Sequence, residues 1–339
     1  MSTSSSKRRL LQSIAASAAV LSAPGFGLKA ALAAGTPAPA GPWPTKPVRL
    51  LVGFPRDSAP DMAARAIAAP LSLALGQPVN VENKPGSSGN VVAAEVAKAT
   101  DDHTVGALIN GNMTVAKMLN ASTPFDPEKD FAPVGLVGTA PLVFVVSARA
   151  PGRTPEELLL WTRELSVNGK YGTPGSGTVG HLGMELLKMH AAIFAKQVSF
   201  DGNPQVVEAL LTNKIDMALL PPGLALPLVR TGKLKVVGVT SPKRSPLAEG
   251  VTTFEEMGVH GAELEIWTAL AGPVSMPEHA VTKLNAALGK VLLTPAVADA
   301  LKKSGWHPMA GEPIDLARRI RKDTNRLGGV IIIRGIKEG

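Results

Sequence analysis

The run Tyr171-Gly172-Thr173-Pro174-Gly175-Ser176-Gly177-Thr178-Val179-Gly180-His181-Leu182 reads as a short strand, a glycine-rich loop and the start of a helix. Such a junction turns backbone N–H groups and the positive end of a helix dipole towards one point, which suits an anion. Within it Gly175, Gly177 and Gly180 spell G-x-G-x-x-G, the letters of a dinucleotide fingerprint. Asp201 ends a strand about 20 residues further on, where a ribose-binding acid would sit. The fingerprint reading makes an enzyme, and the plain anion-site reading makes a binding protein. Two features favour the second. The match lies in the second α/β unit of the chain, and Thr173-Pro174 opens the loop where a dinucleotide turn runs straight from strand into its first glycine.

Other residue types in the chain support competing chemistry less well. His181 and Glu185 stand four apart on one helix face with His190 near, a spacing open to a metal, but a compelling third ligand is lacking, and a helix i,i+4 hydrogen bond is the simpler reading. Ser176 lies in a glycine-rich loop, but G-x-S-x-G is a different spacing and no Ser-His-Asp order is evident, so an anion-binding or capping hydroxyl is expected. Asp57 and Asp201 are open to three roles: an acid/base pair across a cleft, partners for a ligand amine, or solvated loop acids. No catalytic residue, metal site or cofactor is assigned.

The elements that must position these loops alternate. Strand 48–54, helix 59–75 with Ser58 as N-cap and Asp61 three residues on, strand 79–82, helix 89–99 and strand 104–109 make a first α/β unit. Pro70 is expected to kink its helix. The apolar run Val143-Phe144-Val145-Val146 leads into a second unit over about residues 155–239, and helices follow at 277–293, 295–304 and about 314–333. This alternation predicts parallel sheets with helices on both faces. Long strands near 141–148 and 264–272 join the units as a two-strand hinge, so the ligand belongs in the crevice beyond the strand ends. The boundaries expected are 45–143 and 266–339 for the first lobe and 144–265 for the second.

Composition and charge narrow the class. At 339 residues with 45% hydrophobic and 18% charged residues, the chain is globular and long enough for two domains. Lys7, Arg8 and Arg9, the alanine-rich stretch that follows and Ala31-Leu32-Ala33 read as an export signal over 1–33, cleaved near Ala33, with a flexible spacer over 34–44. Arg8-Arg9 and a weak apolar region lean towards twin-arginine export, with the general secretory route as the alternative. The formal charge of +8 falls to 8 − 4 = +4 once Lys7, Arg8, Arg9 and Lys29 are removed, and no basic block remains, which argues against nucleic acid as a partner. With no cysteine, thiol catalysis and disulfides are excluded.

Several motifs, in order, resemble one family. They include Trp43-Pro44-x-Lys46-Pro47-Val48-Arg49, Val52-Gly53-Phe54-Pro55, Leu75-Gly76-Gln77-Pro78 and Glu82-Asn83-Lys84-Pro85-Gly86-Ser87-Ser88-Gly89-Asn90. Phe125-Asp126-Pro127, Asp130-Phe131, the 171–181 segment with Glu185, and Trp267-Thr268-Ala269-Leu270 continue it. Together, over about residues 43–336, they resemble the Bug family, the TctC-like periplasmic solute-binding proteins of tripartite tricarboxylate transporters. The resemblance implies an α/β, type II periplasmic-binding-protein fold of two lobes joined by a two-strand hinge. It also implies a periplasmic monomer that binds a small carboxylate, amino-acid-like or amide solute, largely through backbone N–H groups, for a membrane transporter or sensor. The ligand residues it implies are Phe54, Pro55, Arg56, Asp57 and Ser58, with Gly111 and Asn112, Thr173, Gly175, Ser176, Gly177 and Thr178, and Asp201. This chain departs from the family at Arg56-Asp57-Ser58, where a Pro-Gly-Gly-like run is usual, and at Ser199-Phe200-Asp201-Gly202. Two acids are therefore expected at the cleft, disfavouring multiply anionic ligands. An exported enzyme acting on a small acid through Asp57, Asp201 or His181 is the alternative.

Overall fold

The computed structural model describes residues 42–337; the signal and most of the spacer expected from the sequence lie outside them. In chain order the elements are β1 (Val48–Val52), α1 (Ala59–Leu75), β2 (Val79–Asn83), α2 (Asn90–Lys98), β3 (Thr104–Ile109), α3 (Asn110–Thr114), α4 (Ala116–Leu119), β4 (Phe131–Pro141) and β5 (Val143–Ser147). They continue with α5 (Pro155–Glu164), β6 (Lys170–Thr173), α6 (Val179–Ala191), β7 (Lys196–Ser199), α7 (Asn203–Leu211), β8 (Met217–Leu220), α8 (Pro222–Arg230) and β9 (Leu234–Val239). The chain closes with β10 (Glu265–Pro273), α9 (Glu278–Leu292), α10 (Pro295–Lys303), β11 (His307–Pro308) and α11 (Pro313–Arg334). Among the described residues no single helix is long and apolar enough to cross a membrane.

The strands form two sheets, ordered β11-β4-β10-β3-β1-β2 and β7-β6-β8-β5-β9. Each is the centre of one α/β lobe. Both sheets are mixed rather than parallel. β2, β1 and β3 run parallel, as do β7, β6 and β8, but β10 pairs antiparallel with β3 and β4, and β5 pairs antiparallel with β8 and β9. The reason is the crossing. A strand that enters a lobe from its neighbour runs against those that the lobe's own βαβ units supply.

Both sheets are buried on two faces, so their strands alternate between two cores rather than between core and water. Leu50 and Val52 enter one first-lobe cluster and Leu51 the other. In the second lobe Phe144 and Val146 enter one cluster, Val143 and Val145 the other. This accounts for the unbroken apolar run at 143–146.

The lobes are connected at Leu142, between β4 and β5, and by the return segment from β9 to β10. Thr240 stitches these crossings together. Its N–H donates to the Leu142 carbonyl at 2.9 Å, and its Oγ1 accepts the Leu142 N–H at 2.8 Å and donates to the Leu264 carbonyl at 2.6 Å. The C-terminal helix serves both lobes. Leu316 and Ile320 of α11 pack in a first-lobe core, while Leu327 and Ile331 pack in a second-lobe core.

Candidate functional site

The β1–α1 loop is shaped from below by Asp61, which is wholly buried. Its carboxylate accepts the Asp57 N–H at 2.9 Å, Asn83 Nδ2 at 2.8 Å and Arg65 Nε at 3.0 Å. Asn83 also donates to the Phe54 carbonyl at 3.0 Å. Ser58 and Asp61, three apart, therefore form no reciprocal cap, because the Asp61 carboxylate accepts the Asp57 N–H. Ser58 is the N-cap of α1, yet its side chain makes no capping bond, and its buried Oγ has no partner among the described residues.

The β6–α6 loop holds itself. Thr178 Oγ1 donates to the Gly175 carbonyl at 2.7 Å and accepts the His181 N–H at 3.4 Å. The Gly177 N–H donates to His181 Nδ1 at 3.1 Å. Gly175 and Gly177 have φ of 113° and 74°, conformations that side chains other than glycine's resist. Gly180 lets α6 pack on Pro174, whose Cδ would stand 2.9 Å from a Cβ there. All three glycines of the G-x-G-x-x-G run thus have local roles in turn and packing. The His181 Nδ1 acceptor requires a neutral ring, and burial pulls its pKa down to about 4.

Between the lobes lies a cavity of about 40 Å³. Phe54, Ala59, Pro60, Ile109 and Asn110 wall it from the first lobe, and Pro174, Thr178, Val179, Gly180, Asn203, Leu219 and Pro221 from the second. Leu142, Ile266, Trp267 and Trp306 complete it. None of these residues carries an ionisable side chain. Instead α1, α6 and α7 begin on its wall, and α8 follows directly from Pro221. The Val179 and Gly180 N–H groups, first in α6, precede that helix's own ladder and have no partner among the described residues. An apolar chamber with helix N-termini converging on it favours a negative group without any cationic side chain.

A second, polar space of about 480 Å³ opens outside this chamber. Ser87 and Ser88 face Gly175, Ser176, Ser199 and Asp201 across it, and Lys337 also stands on its wall. Beside the outer space the lobes nearly touch, forming a constriction around Ser88, Gly111, Asn112, Ser176 and Gly177.

The residues expected from sequence therefore divide. Phe54 and Thr178 wall the inner chamber. Gly111, Asn112 and Gly177 sit at the constriction, Ser176 borders both it and the outer space, and Gly175 and Asp201 line the outer space. Thr173 is buried at the end of β6 and accepts Gln197 Nε2 at 3.0 Å. Pro55 meets the second lobe, its Cδ standing 2.8 Å from a Cβ built on Gly202. Arg56 and Asp57 are exposed and outside the walls of these spaces. Asp57, expected at the cleft, has its backbone at φ 63° turned to give its N–H to Asp61. Asp201, though on the outer wall, is exposed to solvent. Sequence reasoning did not name Asn110, Asn203, Pro221 or Trp306. Gly202-Asn203-Pro204 and Pro221-Pro222 were the available signals, since proline in the first turn after a strand marks a helix start.

Comparison with known proteins bears on this geometry. A family model described as "Tripartite tricarboxylate transporter family receptor" matches residues 63–336. The chain is similar to the solved periplasmic binding protein BugD, with 25% identity and a TM-score of 0.82 over 88% of this chain and 100% of that one. It is similar to Rpa4515 of R. palustris with adipate, at 29% identity and a TM-score of 0.83 over 87% and 99% of the two chains. It is also similar to MatC of Rhodopseudomonas palustris with bound malate, at 28% identity and a TM-score of 0.80 over 85% and 100%.

Proposed function

The chain belongs to the tripartite tricarboxylate transporter receptor family, and from that premise we propose which ligand chemistry it takes and where. It is a solute-binding protein with the two-lobed α/β fold of type II periplasmic binding proteins. The ligand is a small organic acid. One carboxylate enters the inner chamber and takes hydrogen bonds from the N–H groups of Val179 and Gly180 and from the free hydroxyl of Ser58. The rest of the ligand extends past Gly111 and Gly177 into the outer space, where Ser88, Ser176 and Asp201 suit hydroxyl, ammonium or amide hydrogens.

The observation that carries this reading is a chamber between two lobes, lined by helix N-termini and by no ionisable side chain. The adipate and malate held by two neighbours of the same fold support a carboxylate. The family supports a periplasmic, transporter-associated role, and the export signal and the monomeric state proposed here rest on the sequence. The chain is exported to the periplasm by the 1–33 signal, works as a monomer, and presents its closed form to a membrane transporter or sensor. Lobes over 45–143 with 266–339, and over 144–265, close on the ligand without making or breaking bonds.

Calorimetry with malate, adipate, glutamate, nicotinamide and citrate tests the reading. Saturable binding of at least one acid, with the ligand recovered unchanged, is expected. Turnover of any of them, or tighter binding of nicotinamide than of every acid, would count against it.

A further inference from the structure

Asp323 lies on α11, far along the chain from the ligand loops, yet its carboxylate reaches the wall of the inner chamber. Its Oδ2 accepts Trp267 Nε1–H at 2.6 Å, Arg319 Nε–H at 3.0 Å and the Asn110 carboxamide at 3.4 Å. Asn110 Oδ1 in turn accepts the Trp267 backbone N–H at 2.8 Å, and its Nδ2 also donates to the Glu265 carbonyl at 3.3 Å. Trp267 and Asn110 both wall the chamber, and both are almost wholly buried. Trp267 stands on β10, the strand that returns from the second lobe to the first.

We infer that Asp323 is a positioning residue of the binding site: from the C-terminal helix it fixes the Trp267 ring and the Asn110 side chain that bound the chamber. The inference rests on the chamber being the ligand site. An indole N–H buried without an acceptor loses its desolvation cost uncompensated, so the ring would turn to find one. The chamber is only about 40 Å³, so a small swing of so large a ring would fill it. Arg319 holds the carboxylate from its other side, and it also bonds Glu265 at the start of β10 at 3.2 Å. The strand, the ring and the helix are thus fixed as one group.

The test uses the full chain, as wild type, Asp323→Asn and Asp323→Leu, with indole N–H exchange followed by NMR. Trp267→Phe assigns the resonance. Trp306, whose Nε1 donates to the Ala59 carbonyl at 3.2 Å on the same chamber, is the internal control. In Asp323→Leu the Trp267 indole should exchange about 100-fold faster while Trp306 keeps its protection. Asp323→Asn still offers an oxygen and should keep most of the protection. Adipate and malate affinities should fall about tenfold in Asp323→Leu and less in Asp323→Asn. Unchanged Trp267 exchange, equal loss at Trp306, or equal affinity in wild type and Asp323→Leu would overturn the inference. If neither acid binds the wild-type protein, the carboxylate reading of the chamber fails, and the indole exchange alone decides the role of Asp323.

Discussion

Gly111 of the first lobe and Gly177 of the second meet across the cleft, so that a Cβ on Gly111 would lie 2.6 Å from the Gly177 carbonyl oxygen. Backbone cannot yield as a side-chain tip does, and any larger residue at 111 must hold the lobes apart. Gly111→Val should therefore favour an open form. If the closed fraction falls to about a tenth, the apparent affinity for any bridging ligand falls about tenfold. Small-angle scattering should show a larger radius of gyration for the ligand-free variant than for the ligand-free wild-type protein. A variant as compact and as tight-binding as wild type would mean that closure at this contact does not limit binding.

His181 makes the second loop sensitive to pH. Burial pulls its pKa from 6.5 to about 4, so the unfolded chain binds more protons between those values, and stability rises with pH through that window. Its contribution is fully present above pH 6.5 and is lost as pH falls towards 4. The span corresponds to roughly 3 kcal/mol. His181→Gln should remove that part of the acid destabilisation. Urea unfolding of both proteins from pH 7 to pH 4 measures it; parallel curves would show that His181 titrates as in the unfolded chain.

Much of this fold was legible because glycine, proline and apolar runs mark strand-to-helix junctions in each βαβ unit. The 171–182 run gave a strand end, two positive-φ glycines and a helix start where the structure has them. The antiparallel partners were not legible. Pro133 and Gly135 interrupt the β4 sequence, and its pairing with β10 joins segments more than a hundred residues apart. The direction of the loop acids was also hidden. Nothing local to Arg56-Asp57-Ser58 says that Asp61 captures the Asp57 N–H and leaves the Asp57 side chain in water. Asp323 was out of reach for the same reason, since its partners Asn110 and Trp267 come from elements distant in sequence.

Glu185 anchors the far end of that same C-terminal helix. Its carboxylate accepts the Tyr171 hydroxyl at 2.5 Å, Lys188 Nζ at 2.6 Å and Arg334 Nε at 2.9 Å. Burial alone would raise its pKa, but Lys188, Tyr171 and Arg334 more than offset that and hold it below the usual carboxylate range. Glu185→Gln leaves two cations without their counterion and should cost about 2–4 kcal/mol. Arg334→Ala removes a more exposed partner and should cost about 1 kcal/mol or less. Urea unfolding ranks the two, and equal costs would contradict Glu185 as the centre of the cluster.

The electrostatics of the site yield the last prediction. The inner chamber has no Lys, Arg or His on its wall, so the carboxylate proposed there is held by enclosed N–H groups rather than by exposed cations. Exposed charges more than about 10 Å apart are screened at 0.1 M salt, whereas hydrogen bonds inside a closed chamber are not. Affinity for malate or adipate should therefore change less than about threefold between roughly 0.05 M and 0.5 M sodium chloride. Asp201 lies in the outer space, where a ligand's second charged group would sit. Because it is exposed and shares that space with Lys337, its repulsion is modest, and Asp201→Asn should improve citrate binding only about two- to fivefold, with that gain shrinking as salt rises. Asp57→Asn should change neither, since Asp57 lies outside both spaces. Calorimetry of the three proteins at the two salt concentrations gives all of these numbers. A steep loss of wild-type affinity with salt would mean that a cationic side chain carries the carboxylate, and the chamber's helix N-termini would no longer account for binding.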